Sequence, residues 1–255
     1  MVSLKTHEYG NEIYGNKVGR AFERADLLGV PVLNVSLGIF ENNSIFYSDF
    51  SAEVNNFGGL AICAAGNYGI NLDDSNNNVY PACYNSSNII CVGAIDSLEE
   101  RWVDEGSGES SDYGLNTVDI YAPGENVETI TKNSGYTQAF GGTSSAAAFV
   151  SGVAALLKSL NPSLTTSQLK SSILNSANII SITLPDGSLQ SVKSLNAYNA
   201  VKYVLENYPA NECSIEEYSN VTFSNYVNTN NTVANDDYSM IKINVEYDYN
   251  YEIHL

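Results

Sequence analysis

Histidine is almost missing from this chain: two among 255 residues, His7 and His254, each close to an end. Basic residues are also scarce. Eleven Lys and Arg stand against 29 Asp and Glu, a formal charge of −18. Nucleic acid and anionic membrane surfaces are therefore excluded as partners on electrostatic grounds. The four cysteines, Cys63, Cys83, Cys91 and Cys213, form no C-x-x-C pair and have no histidine nearby, which argues against zinc. Cys63 and Cys91 fall in strand-like apolar runs and read as small buried hydrophobes; Cys83 is left open between a free thiol and a disulfide. No apolar run approaches the roughly 20 residues of a membrane span. The first ten residues lack the apolar core of a signal peptide. Asn-x-Ser/Thr acceptors begin at Asn42, Asn85, Asn220 and Asn230, but such triplets arise by chance in an Asn-rich chain.

Hydrophobic residues make up 44% of the sequence, enough for one large α/β core. Asn16 to Leu28 carries Val18, Ala21, Phe22, Ala25 and Leu28 at helical spacing, and Gly29 stops it. Val30 to Leu37 is a nearly continuous apolar and β-branched run, the mark of a strand buried on both faces. Ile45 to Val54 reads as a second helix. Leu60 to Ala65, Ile89 to Ile95 and Val118 to Tyr121 read as further buried strands. This alternation is the rhythm of a parallel sheet covered by helices on both faces. Thr165 to Ala177 follows as a helix, with Thr165 and Gln168 spaced as a capping box, and Ser191 to Leu205 holds another helical pattern. Beyond Tyr208 the composition turns to Asn, Tyr, Asp and Ser, with strand-like alternation from Met240 to Tyr247. We expect residues 209–255 to be an acidic tail or a small β appendage.

The chain is organised around Gly141-Gly142-Thr143-Ser144-Ser145-Ala146-Ala147-Ala148-Phe149-Val150-Ser151-Gly152, continuing as Val153 to Leu157. A hydroxyl at a helix start sits among unpaired N–H groups at the positive end of the helix dipole, where developing negative charge is stabilised. Taken alone, the stretch also suits a buried Ala-rich helix with an ordinary Thr or Ser cap. Gly142, Thr143, Ser144, Ala146, Val150 and Gly152, however, resemble the serine motif of the subtilisin-like serine proteases. The resemblance implies that Ser144 is the nucleophile. Ser145 stands where the family generally has Met, Ala148-Phe149 where it has Pro-His, and Gly141 where Asn is commonest.

Five more stretches resemble the same family in the family's order, so that the likeness covers roughly positions 15 to 205. Val32 to Gly38 looks like its cleft-bordering strand, which implies that Ser36, Leu37 and Gly38 offer backbone to an extended peptide. Ala64-Ala65-Gly66-Asn67 looks like its oxyanion element. This implies that Asn67 donates to the oxyanion while Ala65 and Gly66 border the substrate. Tyr80-Pro81-Ala82 through Val92-Gly93-Ala94-Ile95-Asp96, Ser111-Asp112-Tyr113-Gly114 with Ala122-Pro123-Gly124, and Leu195 to Val201 resemble its remaining landmarks.

The implied fold is α/β, a three-layer subtilisin-like and mostly parallel sheet with helices on both faces and the N-terminal part missing. Residues 1–208 would be a partial catalytic domain. The family's Asp-Ser/Thr-Gly and His-Gly-Thr-His motifs, which should precede Val30, are not in these 255 residues. Matching the chain to the family puts His7 after the catalytic-histidine segment, so neither histidine is expected to be the base. The implied function is a serine-type endopeptidase acting through an acyl-enzyme. The alternative is a truncated, non-catalytic homologue that binds peptide or a partner protein. An acidic structural or adhesive protein, resting only on the Asn/Tyr-rich end, is the weakest reading. No cofactor is needed for the chemistry. Family members often bind structural calcium, and the Asp73-Asp74 loop is the place on offer, although its spacing is not diagnostic and also suits a solvated loop. Family members are commonly secreted, which suggests a secretory route.

Overall fold

The computed structural model describes residues 3, 4, 6, 13–41, 48–130 and 135–209, all but the last within the unit Met1–Tyr208. In chain order the elements are α1 (Gly15–Leu27), β1 (Val32–Val35), β2 (Ile39–Phe40), α2 (Ser51–Asn56), β3 (Leu60–Ala64) and β4 (Val79–Tyr80). They continue with β5 (Ile89–Ile95), β6 (Ile120–Pro123), β7 (Val127–Ile130), β8 (Tyr136–Phe140), α3 (Thr143–Leu160), α4 (Thr166–Asn175), β9 (Asn178–Thr183), β10 (Leu189–Ser194) and α5 (Ala197–Asn207). His7, His254, Cys213, Asn42, Asn220, Asn230 and the Met240–Tyr247 alternation lie outside the described residues.

Six strands form one sheet in the order β1-β3-β5-β6-β10-β9, parallel except for the antiparallel β10–β9 pair. Every residue of β3 and β5 is buried, as a continuous apolar run requires of a strand covered on both faces. The period of two divides that burial. Ala61, Cys63, Ile89 and Cys91 join a core with Val18, Phe22 and Ala25 of α1 and Phe50 and Val54 at α2. The intervening residues, Leu60, Ile62, Ile90 and Val92, turn to the opposite face, where α3 crosses β1, β3, β5 and β6 with α4 and α5 packed against it. The three layers follow.

Helix α4 begins at the Thr165–Gln168 capping box, both hydrogen bonds of which are present. It buries Leu169 and Ile173, each contributing about 1.5–3 kcal/mol. Among the described residues α3 alone is long and apolar enough to cross a membrane; half of it is buried inside the fold, as suits a core helix.

Four expectations change. Strand β1 is not buried on both faces: among the described residues it pairs only with β3, Asn34 is exposed and Val35 alone is buried. The second helix is short, Ser51–Asn56, and residues 45–47 of the expected span lie outside the described residues. Ser191 to Leu205 is not one helix. Its first part is the end of β10, because Ser194 pairs with Tyr121 of β6, and α5 starts only where the Asn196 side chain accepts the Asn199 N–H. Helix α3 is buried in part rather than throughout: nine of its eighteen residues are buried, while Ala148, Phe149, Gly152, Ala155 and Ser159 are exposed. Cys63 and Cys91 are buried and face each other across β3 and β5; with Cys83 they are free thiols.

Candidate active site

Strands β1 and β3 run side by side with Val35 opposite Cys63, so the segments that leave their carboxyl ends emerge together. Such a crevice is where open α/β sheets take their ligands. One segment is Ser36-Leu37-Gly38, the other Ala65-Gly66-Asn67. The start of α3 closes the group from above.

Gly142 makes that start. Its φ of +83° belongs to the region that favours glycine, and a Cβ there would stand 2.7 Å from Asn67 Nδ2. Its carbonyl accepts the N–H groups of Ser145 and Ala146, and its own N–H donates to Gly124 O at 2.7 Å. Thr143 then holds the amide of Asn67. Its N–H and its hydroxyl both donate to Asn67 Oδ1, at 3.0 and 2.8 Å, while Gly66 N–H donates to Thr143 Oγ1 at 3.2 Å. Oδ1 thus accepts two bonds from the first residue of the helix. The Ser144 N–H, at the second position of the helix, has no intrahelical acceptor, as at every helix start.

Ser144 is half-buried. Its hydroxyl faces Ser36 O at 3.5 Å, a long contact, and its carbonyl accepts Ser36 Oγ–H at 2.9 Å. No histidine is among the described residues. Thr143 thus ties the Asn67 amide to the start of the helix that carries Ser144.

The structure brings Ser36 and Ser144 into contact and sets Asn67 against the first residue of the same helix. Leu37 and Gly38 continue from Ser36, the former half-buried and the latter exposed. Ala65 is fully buried with its N–H given to Val92 O, so its side chain lines the core beneath Gly66. Ser145 is buried, whereas Phe149 is 44% exposed.

The calcium expectation meets a carboxylate already committed. Asp73 Oδ1 receives Asn116 N–H, Thr117 N–H and Thr117 Oγ–H at 3.1, 2.9 and 2.8 Å, and Oδ2 receives Asn116 N–H and Nδ2–H. Burial pushes this carboxyl up, but these donors together bring it below its ordinary range. Asp74 accepts from Asn76. Among the described residues no group of three or more His, Cys, Asp or Glu could hold a metal ion. The carboxylates of this loop are thus engaged by protein donors.

Sequence reasoning quoted Thr143 and Gly142 without giving either a task, and it missed the third support of the site, Asp112. The backbone of 110–113 runs beside 66–70 as a parallel pair, with Asp112 N–H to Gly66 O and Ser110 N–H to Asn67 O. The fully buried Asp112 side chain accepts Tyr68 N–H and Ile70 N–H on Oδ1 at 2.9 and 3.0 Å. Its only signal in the sequence was its place inside Ser111-Asp112-Tyr113-Gly114.

Comparison with known proteins places the chain among relatives. A model of the Subtilase family matches residues 1–231. Subtilisin BL of Lederbergia lenta is 32% identical over 173 residues, which are 68% of this chain and 58% of that protein. Thermitase of Thermoactinomyces vulgaris is 34% identical over 178 residues, 69% of this chain and 55% of that protein. The solved structure of a cold adapted subtilisin-like serine proteinase aligns with a TM-score of 0.58 at 26% identity, over 74% of this chain and 63% of that one. The chain thus spans little more than half the length of these two curated relatives.

Proposed function

The chain belongs to the subtilase family, and from that membership we propose that it serves in peptide-bond hydrolysis, with Ser144 as the nucleophile. The observation that supports this reading is the double donation of Thr143 to Asn67 Oδ1, which ties that amide to the residue before Ser144. Ser144 Oγ adds to the scissile carbonyl carbon and its proton passes to an imidazole. The carbonyl oxygen becomes negative between Asn67 Nδ2 and the Ser144 N–H. The C–N bond then breaks, the imidazole returns the proton to the leaving amine, and water repeats the sequence on the acyl-enzyme. The imidazole comes from outside the described residues. Substrates are peptides or proteins, held in extended form along Ser36, Leu37 and Gly38 with Gly66 opposite, while Ala65, expected to border the substrate, lies fully buried beneath it. The secretory route implied by the family is part of this reading, as is the division into a partial catalytic domain, 1–208, and a tail, 209–255.

A second reading rests on the departures from the family's pattern at Ser145, Ala148 and Phe149 and on the Ser144 hydroxyl, whose contact with the Ser36 carbonyl is a long 3.5 Å. In that case the same crevice binds a peptide without cutting it. A fluorophosphonate separates the two. Labelling of the full chain that is lost in Ser144→Ala supports the nucleophile. Peptide hydrolysis that survives Ser144→Ala overturns it, and peptide binding without labelling gives the second reading the lead.

A further inference from the structure

The loop that carries Asn67 leaves β3 at Gly66, and most of its backbone groups find partners in 110–113. Gly66 O, Asn67 O and Ile70 O accept from Asp112, Ser110 and Tyr113, and Gly69 N–H donates to Ser110 O. Two N–H groups, those of Tyr68 and Ile70, have no carbonyl opposite them, and both go to Asp112 Oδ1. One side chain thus completes the ladder where backbone cannot. The approach is close enough that a Cβ on Gly66, at φ +121°, would overlap Asp112 Oδ2. That oxygen is buried and has no hydrogen-bond partner among the described residues.

We propose that Asp112 is a positioning residue of this site: its buried carboxylate holds the loop that aims Asn67, and gaining a proton loosens that hold. Its catalytic meaning rests on the reading of Asn67 as an oxyanion donor; the contact itself does not. Hydrogen bonds to a charged acceptor are roughly twice as strong as those to a neutral one, so the two N–H groups are held more firmly by the anion than by the acid. Burial pushes the carboxyl up to about 6, against the pull of the Ile70, Tyr68 and Gly69 N–H groups and of Arg101. The charged and titratable groups facing it are Arg101, Tyr68, Tyr121, Cys83 and Cys91. Burial raises the thiols and phenols away from the mildly acidic range and leaves Arg101, though lowered, a cation. Asp112 is therefore the member of this cluster that changes charge near pH 6.

The test is nuclear magnetic resonance on the full 15N-labelled chain from about pH 4.5 to 8, a range that brackets ordinary and raised carboxyl values. The Asn67 side-chain signals and the exchange of the Tyr68 and Ile70 amides should change together, with an inflection near 6. Asp112→Asn keeps an accepting oxygen, so the two amides should stay protected while the inflection disappears. Asp112→Ala should speed their exchange by at least about tenfold at every pH. An inflection that persists in Asp112→Asn belongs to His7 or His254 and overturns the proposal. Asn67 signals that do not respond to pH overturn it as well. Should Asp112→Ala fail to fold, Asp112→Asn alone still decides. Failure of the catalytic reading looks different: hydrolysis would survive Ser144→Ala while the titration of Asn67 stood unchanged.

Discussion

Two segments leave neighbouring strands at the same end of the sheet and are built in opposite ways. After β3, the N–H groups of Gly66, Tyr68, Gly69 and Ile70 are all taken, and Asn67 is gripped by Thr143. After β1, Ser36 and Gly38 are exposed, and among the described residues the segment is tied to the rest through the Ser36 hydroxyl and carbonyl and the half-buried Leu37, which packs against the core. The difference matches the two tasks proposed for this site. A donor aimed at a developing charge gains from being fixed before the reaction, because nothing then has to reorganise. A strand that receives a peptide needs its backbone groups free. The fold fixes the first at the interior of the sheet and leaves the second at its edge.

The largest effect should come from the fixed side. Asn67→Ala should lower kcat by about 10²–10³-fold with KM little changed, a magnitude known from subtilisin itself, a member of this family. A matching rise in KM with kcat intact would mean that Asn67 only binds substrate. Next is the acid side of stability. Folding raises the Asp112 carboxyl from 3.8 to about 6, so between those values the folded chain holds a proton that the unfolded chain has lost. Stability then falls as pH rises through this window, by on the order of 3 kcal/mol, and is greatest below it. Denaturant titrations at several pH values should show this downward slope against the parent's other groups, and Asp112→Asn should remove it. An unchanged slope in the variant would mean the carboxylate is better solvated than its burial implies. Third is Gly142→Ala. The positive φ costs about 1–3 kcal/mol for a residue with a side chain, and the new Cβ would press on the Asn67 amide. Thermal unfolding should record the loss, and the Asn67 side-chain signals should move; signals left in place would show that the amide is set by Thr143 alone.

The contrast between the two segments was only half legible in the sequence. The apolar runs of β3 and β5 announced themselves because both of their faces are covered, and Ile89–Ile95 was read to the residue. The run through Val32 to Val35 looks the same on paper, yet among the described residues the strand has only β3 beside it, since composition records what a residue can bury and not what lies beside it. The β9–β10 hairpin went unread although Pro185-Asp186-Gly187 marks its turn, because β9 is mostly exposed and offers little apolar alternation. At the site, the resemblance to the family singled out Ser144, Asn67 and Ser36. It gave no task to Thr143 or Asp112, whose partners stand 76 residues away for Thr143 and 42 to 44 for Asp112. Those contacts exist only once β3, the 110–113 segment and α3 have met.

The smallest effect should come from the open side, and it tests the comparison most sharply. Ser36→Ala removes one donor to Ser144 O at 2.9 Å and one acceptor for Asn34 Nδ2 at 3.0 Å, both at exposed positions. Water replaces exposed hydrogen bonds at little cost, so the net loss should stay near the low end of about 0.5–1.5 kcal/mol. The backbone of Ser36, Leu37 and Gly38 keeps its free groups, so KM for a peptide should move by no more than about twofold, well inside the span of a single hydrogen bond. A loss as large as that of Gly142→Ala would make the edge segment a structural support of the α3 start. The open and fixed sides would then be one unit, with Ser36 bracing Ser144 from the sheet edge as Thr143 braces Asn67 from the helix.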